Sequence, residues 1–92
     1  MSEIQVNALP VQGGWACTVR VADGRGSRSF DVSVSGAELV RFAPSASEPT
    51  DLVRRSFEFL LKREAKESIL AAFNLAAINR YFPEYEREIK RR

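Results

Sequence analysis

The sequence predicts an α+β domain: a three-stranded antiparallel β-meander followed by a short helix and a helical C-terminal half packed on one sheet face. Three observations carry this expectation. Residues 1–35 alternate apolar and polar side chains with period two, whereas residues 49–92 carry helical spacing. The composition, 45% hydrophobic and 28% charged, is that of a chain able to fold around a core. At 92 residues there is length for one domain only. We divide it into a β-meander (1–35), a short helix with linker (36–49) and a helical half (50–92).

The strands are expected near 3–9, 15–22 and 28–35. Trp15, Cys17, Val19 and Val21 share one parity, with Ala16, Thr18 and Arg20 on the other. Phe30, Val32 and Val34 alternate with Asp31, Ser33 and Ser35 in the same way, and Ile4, Val6 and Ala8 with Gln5 and Asn7 more weakly. Gly13-Gly14 after Pro10 marks the first turn. The second lies in residues 23–27 and has two tight registers, Asp23-Gly24 as type I′ or Gly24-Arg25 as type II′. Both place Trp15, Cys17, Val19, Phe30 and Val32 on one face. That apolar face needs a cover.

The cover is expected from the second half. Ser35-Gly36-Ala37-Glu38 fits the S-x-x-E capping box and starts a helix of one or two turns that Pro44 stops. A linker spans 44–49. Thr50-Asp51 opens the longest helix, roughly 50–64, with Val53, Phe57, Leu60 and Leu61 along one stripe. Arg54–Glu58 and Glu58–Lys62 have i, i+4 spacing. Lys66–Phe73 reads as a short helix burying Ile69, Leu70 and Phe73, broken at a left-handed Asn74. A further helix begins around Leu75, Ile78 and Phe82 and is kinked by Pro83. The expected core is Trp15, Cys17, Val19, Phe30, Val32, Leu39, Val53, Phe57, Leu60, Ile69, Leu70, Phe73, Ile78 and Phe82.

Chemistry is constrained mainly by what the sequence lacks. It has no histidine and one cysteine, which removes the commonest general base and metal ligand, the intrachain disulfide and the thiolate zinc site. Cys17 falls on the apolar face, where a thiol acts as a small hydrophobe. Glu84, Glu86 and Glu88 sit on a charged helix without a pocket signature, and Gly24-Arg25-Gly26 lacks the following residues of a phosphate loop. No enzyme, cofactor or metal is expected. Met1-Ser2-Glu3 has no basic leader character, and the longest run without a polar side chain, Ile69 to Phe73, is far short of the ~20 residues of a membrane span. A cytoplasmic location is expected.

Nucleic acid is the alternative partner. Arg20, Arg25 and Arg28 gather near one hairpin tip, and Lys90-Arg91-Arg92 ends the chain on a basic run. Against this, Arg20, Arg25, Arg28 and Arg41 in residues 1–46 are balanced by Glu3, Asp23, Asp31 and Glu38, and the net charge is only +2. The stretch 69–82 has the outline of a helix-turn-helix, but Leu75 and Ile78 are spaced too closely for its second helix. A packed helical pair explains it better.

The leading expectation is a non-enzymatic protein-interaction module that binds a protein partner or itself as a homodimer. Phe59, Tyr81 and Tyr85 look like surplus aromatic surface on the helical half, of the kind enriched at interfaces. Strand one, with Pro10 near its end and few charges, is poorly protected if it lies at a sheet edge.

Leu52-Val-Arg-Arg-Ser-Phe-Glu-Phe-Leu-Leu-Lys-Arg-Glu64, Lys66-Glu-Ser-Ile-Leu70 and Arg80-Tyr-Phe-Pro-Glu-Tyr-Glu86 resemble a group of short bacterial open reading frames with no assigned activity. The resemblance covers residues 50–89 well and the β half loosely. It implies a bacterial source and a free-standing small domain, and it supplies no functional residue.

Overall fold

The structure, a computed structural model, describes residues 2–90. Three long strands, β1 (Glu3–Val11), β2 (Gly14–Asp23) and β3 (Gly26–Ser35), form the expected antiparallel meander. A short strand β4 (Ala72–Asn74) adds to β3 in parallel, so the sheet is mixed and four-stranded in the order β1-β2-β3-β4. The helices are α1 (Gly36–Phe42), α2 (Thr50–Leu61), α3 (Ala77–Tyr81) and α4 (Tyr85–Lys90), with a 3-10 turn at Lys66–Ser68.

Both hairpins have two-residue loops. Val11 pairs with Gly14 across Gln12-Gly13, and Asp23 pairs with Gly26 across Gly24-Arg25. The second loop has the length of the type II′ register but not its backbone, because positive φ falls on Gly26 (130°) and not on Gly24. Gly14 is required for a different reason. A Cβ there would strike the Val34 carbonyl oxygen and lie 2.8 Å from the Ser35 Cα. β2 and β3 therefore approach at this end more closely than any side chain allows.

Parity then sorts the side chains. Cys17, Val19, Val21, Phe30, Val32 and Val34 are buried under the helices, while Thr18, Arg20, Ser29, Asp31 and Ser33 are exposed on the opposite face. Trp15 lies on the inner face as expected but is only half-buried, because it sits at the open end of the sheet opposite Pro10.

The capping box of α1 forms: Ser35 Oγ accepts from the Glu38 N–H at 3.1 Å, and Glu38 Oε1 accepts from the Ser35 N–H at 2.8 Å. α2 starts at Thr50 without a side-chain cap; the Glu48 carboxylate instead accepts from the Thr50 N–H and hydroxyl. Asp51 takes Arg55 at 2.9 Å, so the ion pairing on this helix uses its first turn and not Glu58. α2 lays Val53, Phe57 and Leu60 into the core.

The expected helix over 66–73 does not form. Past the 3-10 turn the chain is extended, because the edge of β3 offers partners: Asp31 N–H donates to the Ala71 carbonyl at 2.8 Å and Leu75 N–H to the Ser33 carbonyl at 2.9 Å. Phe73 stacks near Phe57 with ring centres 6.0 Å apart. Extension also turns Leu70 outward, out of the expected core. Asn74 is not left-handed. Its amide nitrogen reaches the Ser33 carbonyl, the Ser33 hydroxyl and Glu38, while its oxygen accepts from the Ala76 N–H. Without a first helix, 69–82 is neither a helix-turn-helix nor a helical pair. The break at Pro83 is present, with Phe82 leaving helical geometry at φ −131°.

Candidate interaction surface

The aromatic side chains separate into covered and uncovered sets. Phe59 is 7% exposed and Tyr85 0%, so neither is surface in the folded domain. Tyr85 lies between Phe42 and Phe59, each 5.3 Å away by ring centres, and its hydroxyl meets Ser56 Oγ at 2.6 Å. Ser56 Oγ also lies 2.7 Å from the Leu52 carbonyl, so the pair is satisfied inside the core. Burial raises the Tyr85 phenol well above its usual range, against a smaller opposing effect of the Ser56 hydrogen bond. Arg63 covers the remaining side of Phe59, with its guanidinium carbon 3.6 Å from the ring centre. These two aromatics fill a core that the sequence alone made look thinner, because the last helix folds back and seats Tyr85 against Phe59.

Tyr81 does stay outside, at 70% exposure. With exposed Leu70 it borders a groove of about 440 Å³ floored by Leu60, Ile78 and Phe82.

The hairpin-tip arginines do not form one patch. Arg20 lies on the bare face of the sheet and Arg25 at the tip, both exposed. Arg28 points to the other face. It packs over Phe30 and donates to the Ile69 carbonyl at 3.2 Å, so it is not presented to a phosphate. Beside the tip the Asp23 carboxylate takes Lys66 Nζ at 2.9 Å. Lys66 has its stem covered while its ammonium reaches carboxylates still partly in water, Glu67 at 2.8 Å being the second. Glu67 and then Asp23 hold the Lys66 pKa up, and both acids are held low in return. Lys90 is engaged by Glu86 at 3.0 Å, and Arg91 and Arg92 lie outside the described residues.

Cys17 is buried, and burial first and the Glu48 charge second raise its thiol pKa. That is the opposite of an activated nucleophile. Among the described residues no cluster of three or more His, Cys, Asp or Glu side chains could hold a metal ion, and no helix is long and apolar enough to cross a membrane.

The surface that remains is the outer edge of β1. Strand parity can be followed across the sheet from the two bonds between β3 and β4. Asp31 and Ser33 turn their backbone groups toward β4. Alternation therefore turns the even residues of β3 toward β2, the odd residues of β2 toward β3, and the even residues of β2 toward β1. In β1 the odd residues face β2. The N–H and C=O groups of Ile4, Val6 and Ala8, with the carbonyl of Pro10, point away from the sheet. Pro10 thus occupies a place where its missing N–H costs no bond within the sheet. The side chains of Ile4, Val6 and Ala8 are half-buried, and Leu9 (64%) and Val11 (49%) are exposed at the strand's end. Sequence reasoning marked strand one as vulnerable but could not see which of its backbone groups were free.

No family model, curated protein or solved structure shows significant similarity to this chain.

Proposed function

We propose that the protein is a non-enzymatic interaction module that self-associates, with β1 as its docking element. The observation that carries this reading is the open edge of a nine-residue strand. Edges of this length are ordinarily blunted by charge, bulge or cover. This one has a single charged side chain, Glu3, and a continuous register with β2; α2 packs against the strand, yet among the described residues nothing pairs with its outward N–H and C=O groups. Among the described residues the thiol is buried, the arginines are dispersed and the Tyr85–Ser56 pair is satisfied internally, which favours an interaction module over an enzyme. The sequence resemblance supports a bacterial source, and the single cysteine, which has no partner in the chain, supports a cytoplasmic location.

Sedimentation equilibrium tests the reading. The expected result is a species of twice 10.3 kDa at micromolar concentration, unchanged by Tyr81→Ser. A monomer up to high micromolar concentration overturns it. Loss of the dimer in Tyr81→Ser would transfer the contact to the groove beside α3. A salt-dependent shift on adding DNA or RNA, lost on replacing Arg20 and Arg25, would favour the nucleic-acid alternative instead.

A further inference from the structure

Resting on the self-association reading, we infer that the occupant of the β1 edge is the β1 edge of a second copy, paired antiparallel about a two-fold axis through Val6. The donors and acceptors on the edge are complementary to themselves. Ile4, Val6 and Ala8 each present one N–H and one C=O outward, and antiparallel pairing exchanges both between facing residues. A two-fold axis also closes both open edges in one contact.

Pro10 selects the register. With the axis at Val6, Ile4 faces Ala8 of the partner subunit and Val6 faces Val6 of the partner subunit. Every outward N–H and C=O from residue 4 to residue 8 is then paired, and Pro10 lies beyond the bonded stretch. With the axis at Asn7, Ile4 faces Pro10 of the partner subunit. The Ile4 carbonyl on each chain then meets a proline ring where it needs a donor, and a buried carbonyl without a donor is destabilising. An axis at Gln5 shortens the bonded stretch within the strand, because Ala8 then faces Ser2 of the partner subunit, outside β1.

Side chains agree with the Val6 register. The inner face continues across the seam as Ile4, Val6 and Ala8 against the same three residues, covering surface that is half-exposed in one copy. Glu3, the only charge on the strand, falls opposite Leu9 of the partner subunit. The two Glu3 carboxylates then sit six residues apart along the seam, ~20 Å at the usual rise, and do not repel.

Cysteine cross-linking reads the register directly. In the Val6 register Gln5 faces Asn7 of the partner subunit on the exposed face, at a pair without hydrogen bonds. There the Cα atoms approach to ~4.5 Å, close enough for a disulfide. Mixing Gln5→Cys and Asn7→Cys proteins under mild oxidation should give the mixed cross-linked dimer, with neither protein linking efficiently to itself. Self-linking of Asn7→Cys would put the axis at Asn7, and self-linking of Gln5→Cys would put it at Gln5; either overturns the register while leaving self-association intact. A wild-type monomer by sedimentation overturns the self-association reading and the register with it. A wild-type dimer that cross-links at none of these positions moves the contact off β1. As a second variant, Ala8→Pro removes a donor that bonds nothing within the sheet. It should leave the far-UV spectrum intact and weaken the dimer at least about tenfold. An unweakened dimer with an intact fold overturns the inference.

Discussion

The β-meander and the segment that follows α2 are held together by different means. β1, β2 and β3 run nine or ten residues each, and every residue is positioned by its neighbours in the ladder. The later segment has no element longer than six described residues: a 3-10 turn of three, a strand of three, and helices of five and six. None of these is long enough to be stable alone. They stay in place through buried anchors at Ile69, Leu75, Ile78, Tyr85 and Ile89 and through polar fastenings to distant residues. Lys66 is tied to Asp23, Asn74 to Ser33 and Glu38, Arg63 to Glu84, and Arg41 to Glu86. A regular ladder tolerates the loss of one contact, whereas a segment of short pieces depends on each fastening.

Phe57 joins the two regions, so its removal is the largest single test of whether they form one cooperative unit. Its ring lies 5.1 Å from Phe30 in the meander and 6.0 Å from Phe73 in β4. Phe57→Ala should cost about 3–5 kcal/mol, out of the ~5–14 kcal/mol expected for a chain of this length. The urea midpoint should fall sharply, with Trp15 fluorescence and far-UV ellipticity moving together. Separate transitions would mean that the meander survives without the later segment.

Tyr85 gives the next largest effect and probes how the later segment is seated on α1 and α2. Its phenol is raised by burial, so it stays neutral in the fold while an unfolded tyrosine ionises near pH 10. A folded pKa above the unfolded one gives stability that is complete below about pH 10 and lost as pH rises toward the folded value. The slope is about 1.4 kcal/mol per pH unit over that window. In a Tyr81→Phe variant, phenolate absorbance should therefore rise only as ellipticity falls. Phenolate formation in a folded protein would place Tyr85 in solvent.

The meander was legible because period-two alternation states a side chain's direction locally, whatever its partner. The α1 cap was legible for the same reason, since Ser35 and Glu38 satisfy each other within one turn. β4 was not. Ile69, Ala71, Phe73 and Leu75 alternate with Leu70, Ala72 and Asn74, but two members of the outward set are apolar, which hides the alternation and leaves a false helical spacing. The assignment of Phe59 and Tyr85 to the surface failed for a related reason. Apart from Arg63, four residues on from Phe59, their cover comes from Phe82 and Phe42 and from the hydroxyl of Ser56, contacts fixed by tertiary packing and not by any local pattern. In the candidate surface, the weakness of strand one could be read from its few charges. The freedom of its even-numbered backbone groups required the sheet order.

Asn74 tests the fastening of β4 at a smaller scale. Asn74→Ala removes the amide contacts to Ser33 and Glu38 and the turn bond from Ala76, at an exposed position. The expected cost is about 1 kcal/mol. Its signature is local: hydrogen exchange at the Asp31 and Leu75 amides should quicken, while the β1–β2 amides keep their protection. Uniform quickening across the sheet would show that β4 is not a separate fastening.

The smallest effect is expected at the surface ion pair that ties α4 to α1. Glu86 is held down to about 2, first by its hydrogen bond from Arg41 and then by that from Lys90. A carboxylate whose folded pKa is depressed contributes stability above its unfolded value, near pH 4.3, and loses it as pH falls toward 2. Asp23, Glu67 and Glu84 are also held low and add to the same acid limb. Arg41 is half in water, so the contribution is modest and should shrink as salt shortens the Debye length from ~8 Å to ~3 Å. Arg41→Met keeps an apolar stem against Phe42 while removing the main cause of the Glu86 shift. Thermal midpoints of this variant between pH 5 and pH 2 should fall less steeply than those of the wild type, with little difference between the two at pH 7 in high salt. An acid limb of equal slope in both proteins would mean that the α1–α4 tie adds nothing to the fold, leaving the buried Tyr85 and Ile89, the Arg55 bond to the Ile89 carbonyl and the Glu86 N–H bond to Asn79 to hold the last helix.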